Sequence, residues 1–142
     1  MWLTAGQELG ATGHGAVVVV VVNASQLPCV LNGHPQVVLV GHDAAGNETN
    51  RFDAIPSDGG FMLATTPATT VTLSPGHAAF FGLEDEHVCA PTYAGAGVRT
   101  DQAEVTINGS RSDNTDPIPL LMTSCGAATI GAFRDNYNAV IG

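Results

Sequence analysis

The chain has 142 residues, 44% of them hydrophobic, and a net charge of −9 from 13 acidic residues against four arginines and no lysine. That length suits one domain, residues 1–142, with a core of its own. A phosphate backbone needs clustered cations, and Arg51, Arg99, Arg111 and Arg134 are scattered, so nucleic acid is excluded as a partner, and an anionic bilayer surface with it.

Strand signals punctuated by turns run along the chain. Residues 2–9 form a candidate first strand and 10–15 a loop. The stretch 16–23 holds six consecutive valines, Val17 to Val22, whose β-branched side chains favour a pleated backbone and oppose a helix. Residues 28–31 begin the next strand, the Asn32-Gly33-His34-Pro35 turn interrupts it, and 36–40 continue it. Residues 43–48 read as a hairpin tip. The least regular part is 50–67, with the isolated apolar patch Phe61-Met62-Leu63. Residues 69–73, the Ser74-Pro75-Gly76 turn and 77–83 predict a second hairpin. The span 84–97 reads as loop. Residues 103–108 alternate apolar and polar, Asn108-Gly109-Ser110 turns, and 118–123 return. A short last strand is expected at 139–141.

This pattern has no amphipathic helix of useful length, so the expected fold is all-β. The expectation is an immunoglobulin-like sandwich of about seven to nine short antiparallel strands. The apolar run 16–22 is less than half of the roughly 20 residues that a membrane-crossing helix needs. Met1-Trp2-Leu3-Thr4 lacks a basic start and an apolar leader segment, so the expectation is a chain from which a leader is absent.

Chemistry-bearing motifs are sparse. Gly-x-Ser-x-Gly, a P-loop and His-Glu-x-x-His do not occur, and no catalytic residue is assigned. His14, His42, His77 and His87 sit near turns or strand ends and read as exposed loop histidines. Glu84-Asp85-Glu86-His87 with Cys89 is the densest ligand-type cluster and reads as a solvated acidic loop. Asp113 and Asp116 read as turn formers. No metal or cofactor is expected.

Several segments resemble a secreted actinobacterial family of exported proteins and lipoproteins, the domain of unknown function four-two-three-two. They are Gly10-Ala11-Thr12-Gly13-His14, Val22-Asn23-Ala24-Ser25, Pro28-Cys29-Val30-Leu31-Asn32-Gly33-His34-Pro35, Asp43-Ala44-Ala45-Gly46, Val71-Thr72-Leu73-Ser74-Pro75-Gly76-His77-Ala78 and Val88-Cys89-Ala90-Pro91, together with the spacing to Cys125. The resemblance covers most of the chain and implies an immunoglobulin-like sandwich and a secreted or envelope-anchored location. It carries no activity. Two departures stand out: the family usually has an aromatic residue at His34, and a further cysteine ahead of the first strand.

Three cysteines leave one over in a secreted-type domain. If the strand at 103–108 pairs antiparallel with that at 118–123, Cys89 and Cys125 lie at the open end of one hairpin. A Cys89–Cys125 disulfide is therefore expected, worth about 3–4 kcal/mol on the chain-entropy account. Cys29 stays a thiol, near the place of the family's missing cysteine. Cys29–Cys89 is the rival pairing.

The valine strand is apolar on both faces, whereas a sandwich strand buries only one. One set, Val17, Val19 and Val21 or Val18, Val20 and Val22, points outward and is expected to be covered first by Phe61, Met62 and Leu63, and next by a second subunit; Val18, Val20 and Val22 with Phe61, Met62 and Leu63 are the possible interface. The expected function is a non-catalytic exported module of the cell envelope that binds a protein or glycan, with homo-oligomers possible. A structural decoration or assembly subunit is the alternative, and a hydrolase or metal-binding enzyme the third class.

Overall fold

The structure is a computed structural model and describes all residues except 1, 12–13, 58–62, 66, 68, 87–97, 108–109, 112–117, 125–127 and 142. Its strands are β1 (Trp2–Ala11), β2 (His14–Val22), β3 (Cys29–Leu31), β4 (Gln36–His42), β5 (Glu48–Asp53), β6 (Ile55–Pro56), β7 (Val71–Leu73), β8 (Ala78–Glu86), β9 (Val98–Ile107), β10 (Ser110–Arg111), β11 (Ile118–Ser124) and β12 (Ala128–Ile130), followed by a 3-10 turn at Tyr137–Ala139. The chain is all-β.

One sheet has the order β1-β2-β8-β12-β6 and a second the order β10-β9-β4-β5, with β11 also on β9; β3 and β7 form a separate pair. Alternation places the core. Val17, Val19 and Val21 of β2 and Ala79, Phe81 and Leu83 of β8 face Val37 and Leu39 of β4 and Ala103, Val105 and Ile107 of β9 in one buried cluster. Leu31, Val71 and Leu73 from the β3–β7 pair close the same cluster. Phe81 and Phe133 meet edge to face at 5.8 Å within it, the geometry that ring quadrupoles prefer. Two sheets sharing one core make a sandwich-like arrangement. The chain crosses between them at Ala54, whose N–H donates to Val37 O on one side, while Ser57 N–H donates to Ile130 O on the other.

Several expectations need correction. The strands among the described residues number twelve, beyond the expected seven to nine, and β6 runs parallel to β12. Positions 10, 11, 14 and 15 belong to the β1–β2 ladder because cross-strand bonds hold the backbone extended despite the glycines. The irregular stretch contains β5 and β6, where Phe52 turns inward and packs on the core. The Ser74 to His77 turn forms, with His77 N–H donating to Ser74 O and Gly76 at φ +77, yet β7 pairs with β3 and β8 with β2 and β12. The expected hairpin is therefore a corner between sheets. Likewise β3 and β4 lie in different sheets rather than in one interrupted strand. In place of a last strand at 139–141 there is a 3-10 turn, and Ile141 bridges to Leu63.

The largest correction is at Glu84 and Asp85. They are buried, at 7% and 4% exposure, and belong to β8, not to a solvated loop. Asp85 lies between Gly15 of β2 and Ala128 of β12, so neighbours on both sides extend β8 to its end.

Candidate binding face

The two sheets differ in what their outer faces meet. On the β1-β2-β8-β12 sheet, the outward residue Val18 is wholly buried, together with Leu63 and Val140, and Phe80, Tyr137 and Ile141 pack around them. Val18 is the cross-strand partner of Gly82. The missing side chain leaves a hollow that Leu63 and Val140 fill: a Cβ on Gly82 would run into Leu63 and stand 2.8 Å from Val140 Cγ1. Polar bonds fix this cover. Leu63 N–H donates to Glu84 Oε1 at 3.1 Å and Ala64 N–H to Val140 O at 2.9 Å. Phe80 and Tyr137 add an edge-to-face contact at 5.7 Å.

Of the residues expected at an interface, Val18 and Leu63 therefore touch each other inside the chain, Val20 and Val22 are half-buried, and Phe61 and Met62 lie outside the described residues. Tyr137, Val140 and Ile141 supply cover that sequence reasoning did not assign, although they form an apolar spacing near residue 140.

The β9-β4-β5 sheet is more polar on its outer side. Its outer face carries Gln36, Val38 and Val40 from β4, Arg51 and Asp53 from β5, and Gln102, Glu104 and Thr106 from β9, in facing positions. Arg51 pairs with Val40 and Glu104 with Val38, so the guanidinium crosses β4 to reach its partner. Its Nη1 donates to Glu104 Oε1 at 2.8 Å and Oε2 at 3.2 Å, and its Nε to Glu48. Glu104 first, then Glu48, hold the Arg51 guanidinium even more firmly charged than an ordinary arginine. Val40, on the same face, is only 2% exposed.

Clefts lie toward the two ends of β4. One, of about 430 Å³, is lined by Gln36, Val38, Asp53, Pro56, Glu104 and Thr106. The other, of about 390 Å³, is lined by His42, Asp43, Asn50, Arg99, Thr100 and Asp101. In the second, His42 Nδ1 donates to Asp101 Oδ1 at 2.9 Å. These residues come from β4 and β9, far apart in sequence, so a reading of His42 as a lone loop histidine misses the pair. Gly41 permits the approach, since a Cβ there would strike the Arg99 carbonyl oxygen.

The expected hairpin tip forms the wall of this cleft. Asp43 Oδ1 accepts from Ala45 N and Asn47 N, both at 2.9 Å, and Gly46 turns the chain at φ +84. These bonds, that from Asn47 foremost, hold the Asp43 carboxyl below its ordinary range. Thr100 Oγ1 is buried with no hydrogen-bond partner among the described residues.

Chemically this face offers fixed donors and acceptors. His42 and Asp101 supply two of the three groups that nucleophilic hydrolysis requires. Among the described residues, no three His, Cys, Asp or Glu side chains gather to hold a metal ion, and no helix is long and apolar enough to cross a membrane.

The remaining singled-out residues are structural or outside the description. Cys89, Cys125 and His87, and with them the expected disulfide, lie outside the described residues. Cys29 is a half-buried thiol on β3, and burial pushes its pKa up. His34 Nε2 donates to Ser57 O at 2.9 Å. His77 is exposed beside its turn.

Residues 2–134 match the family model described as Domain of unknown function (DUF4232). The chain belongs to this family. No curated protein and no solved structure matches it. Nearly the whole sandwich, through β12 and Arg134, falls within the family's span, while Tyr137, Val140 and Ile141 follow it.

Proposed function

We propose that this DUF4232 chain is a non-enzymatic, exported module of the cell envelope with an immunoglobulin-like sandwich, and that it binds a protein or glycan on the outer β9-β4-β5 face. One observation carries the reading: the chain covers Val18 on the outer face of one sheet with its own Leu63 and Val140, while among the described residues the outer face of the other carries ion-paired side chains, with clefts toward the two ends of β4. Preformed concave surfaces with a few fixed polar groups are where ligands bind. Such groups already held in place cost little further entropy on binding. Two largely antiparallel sheets over one core support the immunoglobulin-like reading. The net charge of −9 favours dispersal in an aqueous compartment.

The experiment is co-sedimentation of the purified chain with isolated cell envelopes of its source organism, alongside fractionation of the protein expressed from its own gene. The reading predicts a saturable pelleted fraction, and the native protein in the envelope or medium. Native protein found only in the cytoplasm, or no saturable pelleting, overturns it.

A further inference from the structure

We infer that Asn32 is a self-modifying site: the Gly33 backbone nitrogen closes on the Asn32 side-chain amide, and water opens the resulting succinimide to aspartate or iso-aspartate. The site lies at the turn between β3 and β4 and stands apart from the reading above. Its case rests on the backbone, on the space around it and on one hydrogen bond.

The backbone comes first. Asn32 is followed by Gly33, which turns the chain at φ +62. A glycine holds this conformation without strain and leaves it easily, so its nitrogen is able to swing toward the preceding side chain.

Space is the second point. Asn32 is exposed, and a Cβ built on Gly33 would meet nothing within 4 Å. A ring between the two residues has room to form, and water reaches it. Among the described residues, none accepts from the Gly33 N–H, so no such bond has to break before the nitrogen gives up its proton.

The hydrogen bond falls on the reacting amide. Leu31 pairs with Val71, which places Asn32 and Thr70 next to each other in register. Thr70 Oγ1 donates to Asn32 Oδ1 at 3.0 Å. When the nitrogen adds to Asn32 Cγ, negative charge gathers on Oδ1, and a donor already aimed at that atom stabilises it.

The atoms balance without an oxidant or a reductant. The Gly33 nitrogen loses its proton and bonds to Asn32 Cγ. The Cγ–Nδ2 bond breaks, and Nδ2 leaves as ammonia with that proton. Water, the co-reactant, then adds to either carbonyl of the succinimide and returns a proton to the Gly33 nitrogen. Opening at Cγ leaves aspartate in an ordinary backbone. Opening at the main-chain carbonyl leaves iso-aspartate, with the chain running through Cβ and Cγ. That extra methylene falls between Leu31, which is buried, and Gly33, whose carbonyl accepts from Phe133 N–H at 3.0 Å.

Asn23 differs in every respect. It is 1% exposed, it precedes an alanine, and its amide is committed to Leu27 O and Leu73 O. Asn108 also precedes a glycine; it lies outside the described residues and serves as an internal reference.

Peptide mapping by mass spectrometry tests this on the full folded chain, incubated at neutral and at mildly alkaline pH. Asn32 is expected to convert to a mixture of aspartate and iso-aspartate, faster at the higher pH because the attacking nitrogen must lose its proton. Thr70→Val removes the donor and is expected to slow conversion at Asn32 at least about threefold, with an unchanged melt and an unchanged rate at Asn108, because Thr70 is exposed. Thr70→Ser keeps the hydroxyl and is expected to keep the wild-type rate. An Asn32 that persists in the folded chain while the same segment converts as a free peptide overturns the inference. A Thr70→Val variant that converts at Asn32 as fast as wild type overturns it too.

Discussion

Leu63 occupies the hollow over Gly82. The glycine has no side chain, and its cross-strand partner Val18 is buried by the leucine that fills the gap. A valine strand that is apolar on both faces is explained within the chain by this contact. Its cover is a segment some twenty residues upstream of Gly82 together with the chain's last turn.

Gly82→Ala is the sharpest test of that contact. The new methyl group would meet Leu63 and Val140, and overpacking of this kind costs about 1–3 kcal/mol. Urea unfolding is expected to show a lower midpoint, with Leu63→Ala recovering part of the loss in the double variant. A neutral Gly82→Ala would mean that Leu63 does not sit there.

The outward valines should separate. Val18→Lys places a charge where nothing is exposed and is expected to cost about 3 kcal/mol or more. Val20→Lys, at a half-buried position whose longer side chain can reach water, costs less. Equal losses for the two variants in chemical denaturation would contradict the cover.

Asn23→Ala removes the donors to Leu27 O and Leu73 O. Leu73 O is left an unsatisfied buried acceptor, at a cost of about 1–3 kcal/mol, whereas Leu27 O, in the exposed loop, keeps Ser25 Oγ as its donor; a loss of about 1–3 kcal/mol is expected, with loosened hydrogen exchange at Ser25 and Leu27. Asn23 begins an Asn-x-Ser triplet but lies inside the fold, where its amide is already committed.

Asp43 gives a pH dependence with a definite sign. Its folded pKa is depressed by the N–H groups of the hairpin tip, led by Asn47. The stabilisation is therefore full above the ordinary aspartate value of 3.8 and is lost as pH falls below it toward the lower folded value. Asp43→Ala should flatten this part of the profile of unfolding free energy against pH, measured below pH 5 by denaturation. A profile that Asp43→Ala leaves unchanged would contradict the turn geometry.

What was legible in the sequence follows from the range of the forces involved. The valine run, the alternation at Ala103, Val105 and Ile107, and the Asp43-to-Gly46 tip are local patterns, and each forms as expected. The burial of Glu84 and Asp85 is not legible locally, because it depends on β2 and β12, which lie far away in sequence. The same reason hides the His42–Asp101 pair and the crossing of Arg51 to Glu104, since register between distant strands sets both. The cover by Leu63 is legible from the apolar patch Phe61-Met62-Leu63, whereas Val140 and Ile141 form too short a pattern to show theirs.

The central claim is that recognition occurs on the β9-β4-β5 face. Its most direct measurement is the affinity of the chain for isolated cell envelopes, compared between wild type and two variants with unchanged melts. Gln36→Arg/Thr106→Arg alters the outer face, and Leu27→Asp alters the exposed loop after β2. A drop of at least about tenfold for the outer-face variant alone is the predicted result. Equal affinity for wild type and the outer-face variant would contradict the account.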